Sequence, residues 1–277
     1  MITMLDGGRY FEAPRWHDGR LWFVDCMTRR LFSATLADER EERAKFDDTP
    51  CGTGILPDGR IVVLTMNKKQ LFVVADRQLS LYADLSAVAK GAIDDMIIDG
   101  RGRAWVGDLG FNMPPPPDRG AVGRILLVMP DGSARVVAEG LRFPNGIAVS
   151  ADHKRLVVAE MDAGTLADYD IAADGALHLR GRIGSVQAPD GICLDREGAV
   201  WVASFTEDAF IRIGRDGKEL QRIVVPDRRA LACVLGGPDR RTLFCLSAAT
   251  SYAELRQGKS SSRIDVEIVD TEGSGFP

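Results

Sequence analysis

Four short segments of this 277-residue chain open an apolar run with an oxygen-bearing side chain. They are Phe11-Glu12-Ala13-Pro14, Ile93-Asp94-Asp95-Met96, Phe143-Pro144-Asn145-Gly146-Ile147 and Ala188-Pro189-Asp190-Gly191-Ile192. If the fold gathers Glu12, Asp94, Asn145 and Asp190, several carboxylates lose hydration and repel one another, and a cation is the simplest compensation. An all-oxygen donor set suits Ca²⁺, Mg²⁺ or Mn²⁺, or Zn²⁺ held through oxygen, rather than a thiolate zinc centre. Asp94 and Asp95 are neighbours, so a regular strand sends them to opposite faces. Asp94 is therefore the candidate for contacting substrate, and Asp95 is read as structural. Competing chemistries have weaker signals. No Gly-x-Ser-x-Gly occurs, and His17, His153 and His178 sit at turns or in an outer strand, away from the register of the four oxygen groups. Gly100-Arg101-Gly102-Arg103 reads as a hairpin turn, since no helix follows to make a phosphate loop.

The elements that must position these groups repeat along the chain. A turn signal precedes a β-rich run six times, near residues 18, 58, 101, 152, 197 and 239, at spacings of 40, 43, 51, 45 and 42. Leu21-Trp22-Phe23-Val24, Ile61-Val62-Val63-Leu64 and Ala199-Val200-Trp201-Val202 are typical runs. Units of this length containing several short strands predict the blades of a propeller, and six of them predict an all-β, six-bladed ring. A linear solenoid is the rival architecture. The alternating segment Arg263–Val269 is expected to complete the last blade beside an N-terminal strand. No domain boundary is visible, so residues 1–277 read as one propeller domain. Trp22, Trp105 and Trp201 recur at equivalent places and read as blade packing. Asp38–Lys45 is short and charged, and fits a helical turn, an outer strand or a loop. Pro114-Pro115-Pro116-Pro117 cannot lie in a central strand, and reads as a stiff loop lidding one mouth. Phe111 and Phe143, in loops on that side, are expected to line the substrate pocket.

Composition narrows the partners. Lys and Arg number 35 against 40 Asp and Glu, a net charge of −5, which argues against a general nucleic-acid binder. No run of 18 apolar residues predicts a membrane span, and no signal peptide is evident. Five widely spaced cysteines (Cys26, Cys51, Cys193, Cys233 and Cys245) read as reduced, mostly buried thiols and suggest a cytoplasmic protein. A closed ring hides its edges, so a monomer is expected.

The Glu12-Ala13-Pro14, Phe143-Pro144-Asn145-Gly146 and Pro189-Asp190-Gly191 motifs, with the repeat count, resemble the family of senescence marker protein (regucalcin), gluconolactonase and luciferin-regenerating enzyme. The resemblance spans nearly the whole chain. Only Gly273–Pro277 carries none of it and reads as a flexible tail. It implies a six-bladed propeller with one central divalent ion held by Glu12, Asn145 and Asp190. It also implies a hydrolase that opens a lactone or related cyclic ester, with Asp190 the choice for general base. Asp94 would orient substrate or water. The third repeat departs from the family pattern: where sugar-lactone hydrolases commonly carry Arg-x-Asn-Asp-Gly, this chain has Ala92-Ile93-Asp94-Asp95-Met96. That change removes a donor for sugar hydroxyls and points to a less hydroxylated substrate. The alternatives are a non-catalytic propeller binding a small ligand or protein, or a different reaction on the same scaffold.

Overall fold

Turn chemistry and strand composition act together in every repeat. The central strands, such as Ile61–Thr65, Ala104–Asp108 and Val200–Ser204, are buried along their whole length. Outer strands such as Arg40–Lys45 and Glu219–Val224 are mostly exposed. Charged outer strands suit a blade's solvent edge, because they discourage pairing with another sheet.

The computed structural model describes residues 1–274, which form six four-stranded antiparallel sheets and one short helix, Tyr252–Arg256. The predicted six-bladed β-propeller is therefore observed. The inner strands, blade by blade, are Phe11–His17, Pro50–Ile55, Ile93–Ile98, Pro144–Val149, Pro189–Leu194 and Arg229–Gly236. Each packs beside the next, and the sixth packs beside the first, closing the ring. Closure is sealed in the last blade, where the N-terminal strand Ile2–Gly8 pairs antiparallel with Ser261–Ile268. This is the terminal pairing expected from the alternation over 263–269. The charged segment near residue 40 is an outer strand, Arg40–Lys45.

The core is divided among the blade interfaces. Six apolar clusters each join two neighbouring blades. Trp105 fills the interface of blades 3 and 4, and Trp201 that of blades 5 and 6. Trp16 stacks on Phe244 at 5.2 Å across the seam between first and last blades. Burying a large side chain of this kind is worth about 1.5–3 kcal/mol, so ring closure rests on packing as well as on the terminal strand.

One expectation is corrected. Gly273 forms a bridge with Asp195, and the Ser274 amide donates to the Leu194 carbonyl at 3.1 Å. These two residues are pinned against blade 5 because its inner strand leaves backbone groups open there. The remaining tail positions, 275–277, lie outside the described residues. Among the described residues, no helix is long and apolar enough to cross a membrane.

Candidate active site at the hub

Every inner strand carries a register shift near its start. In four of the six the shift falls at the segments singled out above: Glu12/Arg15, Asp94/Met96, Pro144/Ile147 and Pro189/Ile192. A bulge breaks the two-residue alternation and re-aims a side chain. Left-handed backbone accompanies it at Ala13, Asp95, Phe143 and Ala188, with φ of 50°, 40°, 56° and 45°. Glu12, Asp94, Asn145 and Asp190 are thereby all presented to one cavity of about 970 Å³.

A second device fixes the loops that lead into these strands. Asp25, at the end of a second strand, accepts from the Arg9 and Tyr10 amides just ahead of Glu12. Asp108 accepts from Lys90 and Gly91 ahead of Asp94, and Glu160 from Arg142 ahead of Asn145. In blade 5 the Ser204 hydroxyl donates to the Gln187 carbonyl ahead of Asp190. Charge-assisted bonds to backbone amides are among the stronger hydrogen bonds, so Glu12, Asp94 and Asn145 each follow a carboxylate-anchored loop in their own blade, and Asp190 follows a neutral one.

The glycines that follow Asn145 and Asp190 bring the blades together. A Cβ on Gly146 would meet the Asp190 carbonyl oxygen at 2.4 Å, and one on Gly191 would meet the Ala232 Cβ at 2.5 Å. Asn145-Gly146 is thus not a turn pair. It lies inside a strand, and the glycine lets adjacent inner strands approach closely.

The cavity floor is acidic, with Asp95, Asn145 and Asp190 buried and Glu12 and Asp94 half-buried. Glu12 is pushed up to about 8, by burial first, with Asp94 and Asp95 adding to it. Asp94 is pushed up to about 7 by burial and then by Asp95. Asp190 is held well above the usual carboxylate range by burial, then by Glu12 and Asp94. The neighbouring Asn145 amide offsets a small part of this at Asp190, and its Nδ2 meets the Met161 sulfur at 3.9 Å. One guanidinium, Arg15, enters the cluster, and it is engaged by Asp95 at 3.4 Å and by the Pro14 and Met96 carbonyls. The Asp95 carboxylate also accepts from the Ile147 amide at 3.1 Å. Asp95 therefore ties blade 3 to blades 1 and 4; among the described residues no cation is ion-paired with Glu12, Asp94 or Asp190, although the Arg15 charge offsets part of the rise at Glu12.

Clustered carboxylates of this kind, with an amide oxygen among them, suit a hard divalent ion. Among the described residues no three His, Cys, Asp or Glu side chains are grouped tightly enough to hold one ion.

The structure separates the two aromatic candidates. Phe143 lines the cavity. Phe111 does not: it backs Phe143 edge-on at 5.6 Å, in a small cluster with Ala92 and Leu109. Its carbonyl accepts from the Ala92 amide, and Gly91 packs directly on its backbone. The expectation that Phe111 lines the pocket is therefore corrected, because these backbone contacts hold it behind its partner. Pro114 and Pro115 do line the mouth. Their loop is braced by Arg119, which pairs with Asp162 at 2.8 Å and lies over the Phe143 ring. The three histidines are absent from the lining, whereas Cys26, Cys51 and Cys233 take part in it. Burial holds all three thiols well above their ordinary range. The sequence reading missed Arg15, Arg119 and the short helix, whose Tyr252 and Leu255 reach the cavity. No motif marks them, since each acts through contacts between blades.

A six-bladed ring with oxygen donors presented to one cavity from bulged inner strands defines a propeller with a hub site. The chain belongs to the SMP-30/Gluconolactonase/LRE-like family, whose model matches residues 11–249. Pentonolactonase XacC of Haloferax volcanii is 27% identical over 250 residues, covering 87% of this chain and 82% of that protein. The 6-deoxy-6-sulfogluconolactonase of Pseudomonas putida is 27% identical over 279 residues, covering 96% and 93%. Among solved structures, a luciferin-regenerating enzyme superposes with a TM-score of 0.81 at 20% identity, covering 97% of this chain and 94% of its own.

Proposed function

We propose that this protein is a metal-assisted hydrolase that opens a lactone or related cyclic ester. The observation that carries the reading is the convergence of half-buried Glu12 with buried Asn145 and Asp190 on one cavity floor, on a scaffold shared with relatives named as lactonases. Glu12, Asn145 and Asp190 would hold one divalent ion, which when bound supplies Lewis-acid polarisation of an ester carbonyl.

The chain's own residues supply the rest. Asp190 accepts a proton from the attacking water, whose oxygen bonds to the carbonyl carbon. The ring C–O bond then breaks, and the proton passes to the departing alkoxide, so lactone plus water gives one hydroxy acid. General-base help of this kind is worth about 10²–10⁴ in rate. Asp94, half-buried on the same floor, orients substrate or water. Phe143 shapes one wall, and the proline loop held by Arg119 limits access from the mouth.

The test is acid release from a panel of lactones, before and after complete chelation. Turnover should vanish with the metal and return when it is restored. Asp190→Ala should lose about 10²–10⁴ in kcat while keeping its fold. Full activity after metal removal, or a near-normal rate in the Asp190→Ala protein, contradicts the mechanism.

A further inference from the structure

The mouth of the hub cavity is opposite in charge to its floor. The floor holds the half-buried acids Glu12 and Asp94 and the buried Asp190, whereas Arg9, Arg29 and Arg256 line the rim and are exposed. Arg9 lies in the loop entering blade 1, Arg29 in a turn of the same blade, and Arg256 at the end of the short helix of blade 6. Arg9 donates to the Gly258 carbonyl just beyond that helix, so blades 1 and 6 present their cations to one arc of the rim. Arg29 donates to the Asp47 carbonyl. Among the described residues, none of the three is ion-paired with a carboxylate. The fourth rim guanidinium, Arg119, differs, because Asp162 neutralises it.

Between floor and rim the wall is apolar, built largely by Met27, Met66, Met161, Phe143 and Phe205. A volume near 970 Å³ is at the upper end of small-molecule sites and far more than a bare lactone ring fills. Ala92, where sugar-lactone hydrolases commonly carry Arg, is buried behind Phe143 and offers no donor to a polyol.

We infer that the substrate is a lactone joined through an apolar body to an anionic group, with its carbonyl end at Glu12, Asn145 and Asp190 and its anionic end at Arg9, Arg29 and Arg256. This rests on the lactone-hydrolase reading and names the substrate class of the same site. The charge gradient sets the orientation. An anion near the floor meets three clustered carboxylates, whose charge one divalent ion would offset only in part, whereas at the rim it meets guanidiniums that have no carboxylate partner among the described residues and keep donors for it. The apolar wall accounts for the span between them.

The probes are a γ-lactone with an aliphatic side chain ending in a carboxylate and the same lactone ending in a primary amide. The metal-loaded protein should turn over the carboxylate compound with the higher kcat/KM. The preference should fall about tenfold in an Arg29→Gln/Arg256→Gln protein, chiefly through KM, as expected for two partly exposed charge contacts. It should also shrink as salt is raised through the range where the screening length drops below about 10 Å. Calorimetry with the two ring-opened products, which need no turnover to bind, gives a second readout of the same preference. An unchanged preference in the double variant, or a wild-type preference for the amide, overturns the inference and leaves the hydrolase reading in place. If neither lactone is opened but calorimetry shows the arginine-dependent preference, the rim recognises anions and the hydrolase reading fails. If neither turnover nor binding distinguishes the compounds, the inference is overturned.

Discussion

Replacing Glu12 by Gln should stabilise the metal-free protein while weakening its response to metal. Glu12 stands at about 8 in the fold against an ordinary 4.5, because burial and the neighbouring acids oppose its charge. A raised carboxylate costs nothing below its unfolded value. Its penalty grows as pH rises from 4.5 towards 8 and is complete above that. Each unit is worth about 1.4 kcal/mol, which sets a ceiling of about 5 kcal/mol, and relaxation with water entry reduces it to about 1–3 kcal/mol. For a chain of this size that corresponds to a rise in Tm of roughly 2–10 °C at pH 8. Gln can still accept from the Ala13 amide, so the hydrogen bond now made at 3.1 Å survives. The assay is thermal melting in chelator from pH 5 to 8.5, repeated with added Ca²⁺, Mg²⁺ or Mn²⁺. Wild type should lose stability as pH rises and recover it with metal. The variant should show a flatter slope and little recovery. A variant that melts below wild type in chelator at pH 8, or that keeps the full metal response, refutes the view of Glu12 as an under-compensated charge awaiting a cation.

Other perturbations probe the supports of the site. Arg15→Met removes the cation paired with the Asp95 carboxylate, and should cost about 3–5 kcal/mol, read as a lower denaturation midpoint. Gly146→Ala drives a methyl group against the Asp190 carbonyl at 2.4 Å; we expect a loss of about 1–3 kcal/mol together with weaker metal binding by calorimetry. Metal uptake near pH 7 should release protons, because Glu12 and Asp190 must ionise to bind it. Titrations in buffers of different ionisation enthalpy measure that release, and a buffer-independent heat contradicts it.

Much of this architecture can be read from local pattern. Turn pairs such as Asp18-Gly19 and Asp58-Gly59, each followed by an apolar run, count the blades, because hairpin chemistry and strand burial are settled within a few residues. The starts of four inner strands mark Glu12, Asp94, Asn145 and Asp190, since equivalent positions in a closed repeat fall at the same end of the channel. The alternation over 263–269 foretells the closing strand for the same reason.

Tertiary structure decided what local pattern does not encode. Phe111 and Phe143 look equivalent in sequence, yet the packing of Gly91 on the Phe111 backbone leaves only Phe143 facing the cavity. Asp94 and Asp95 are expected on opposite faces, but a bulge turns Asp95 towards Arg15 and Ile147, residues 80 and 52 positions away. Gly273 looks like part of a tail until blade 5 offers it a backbone partner. Arg9, Arg29 and Arg256 are unremarkable surface cations along the chain, and only the meeting of first and last blades places them on one rim. Short-range preferences wrote the repeat and its register, whereas the fit of one blade against another chose which side chains meet across the ring.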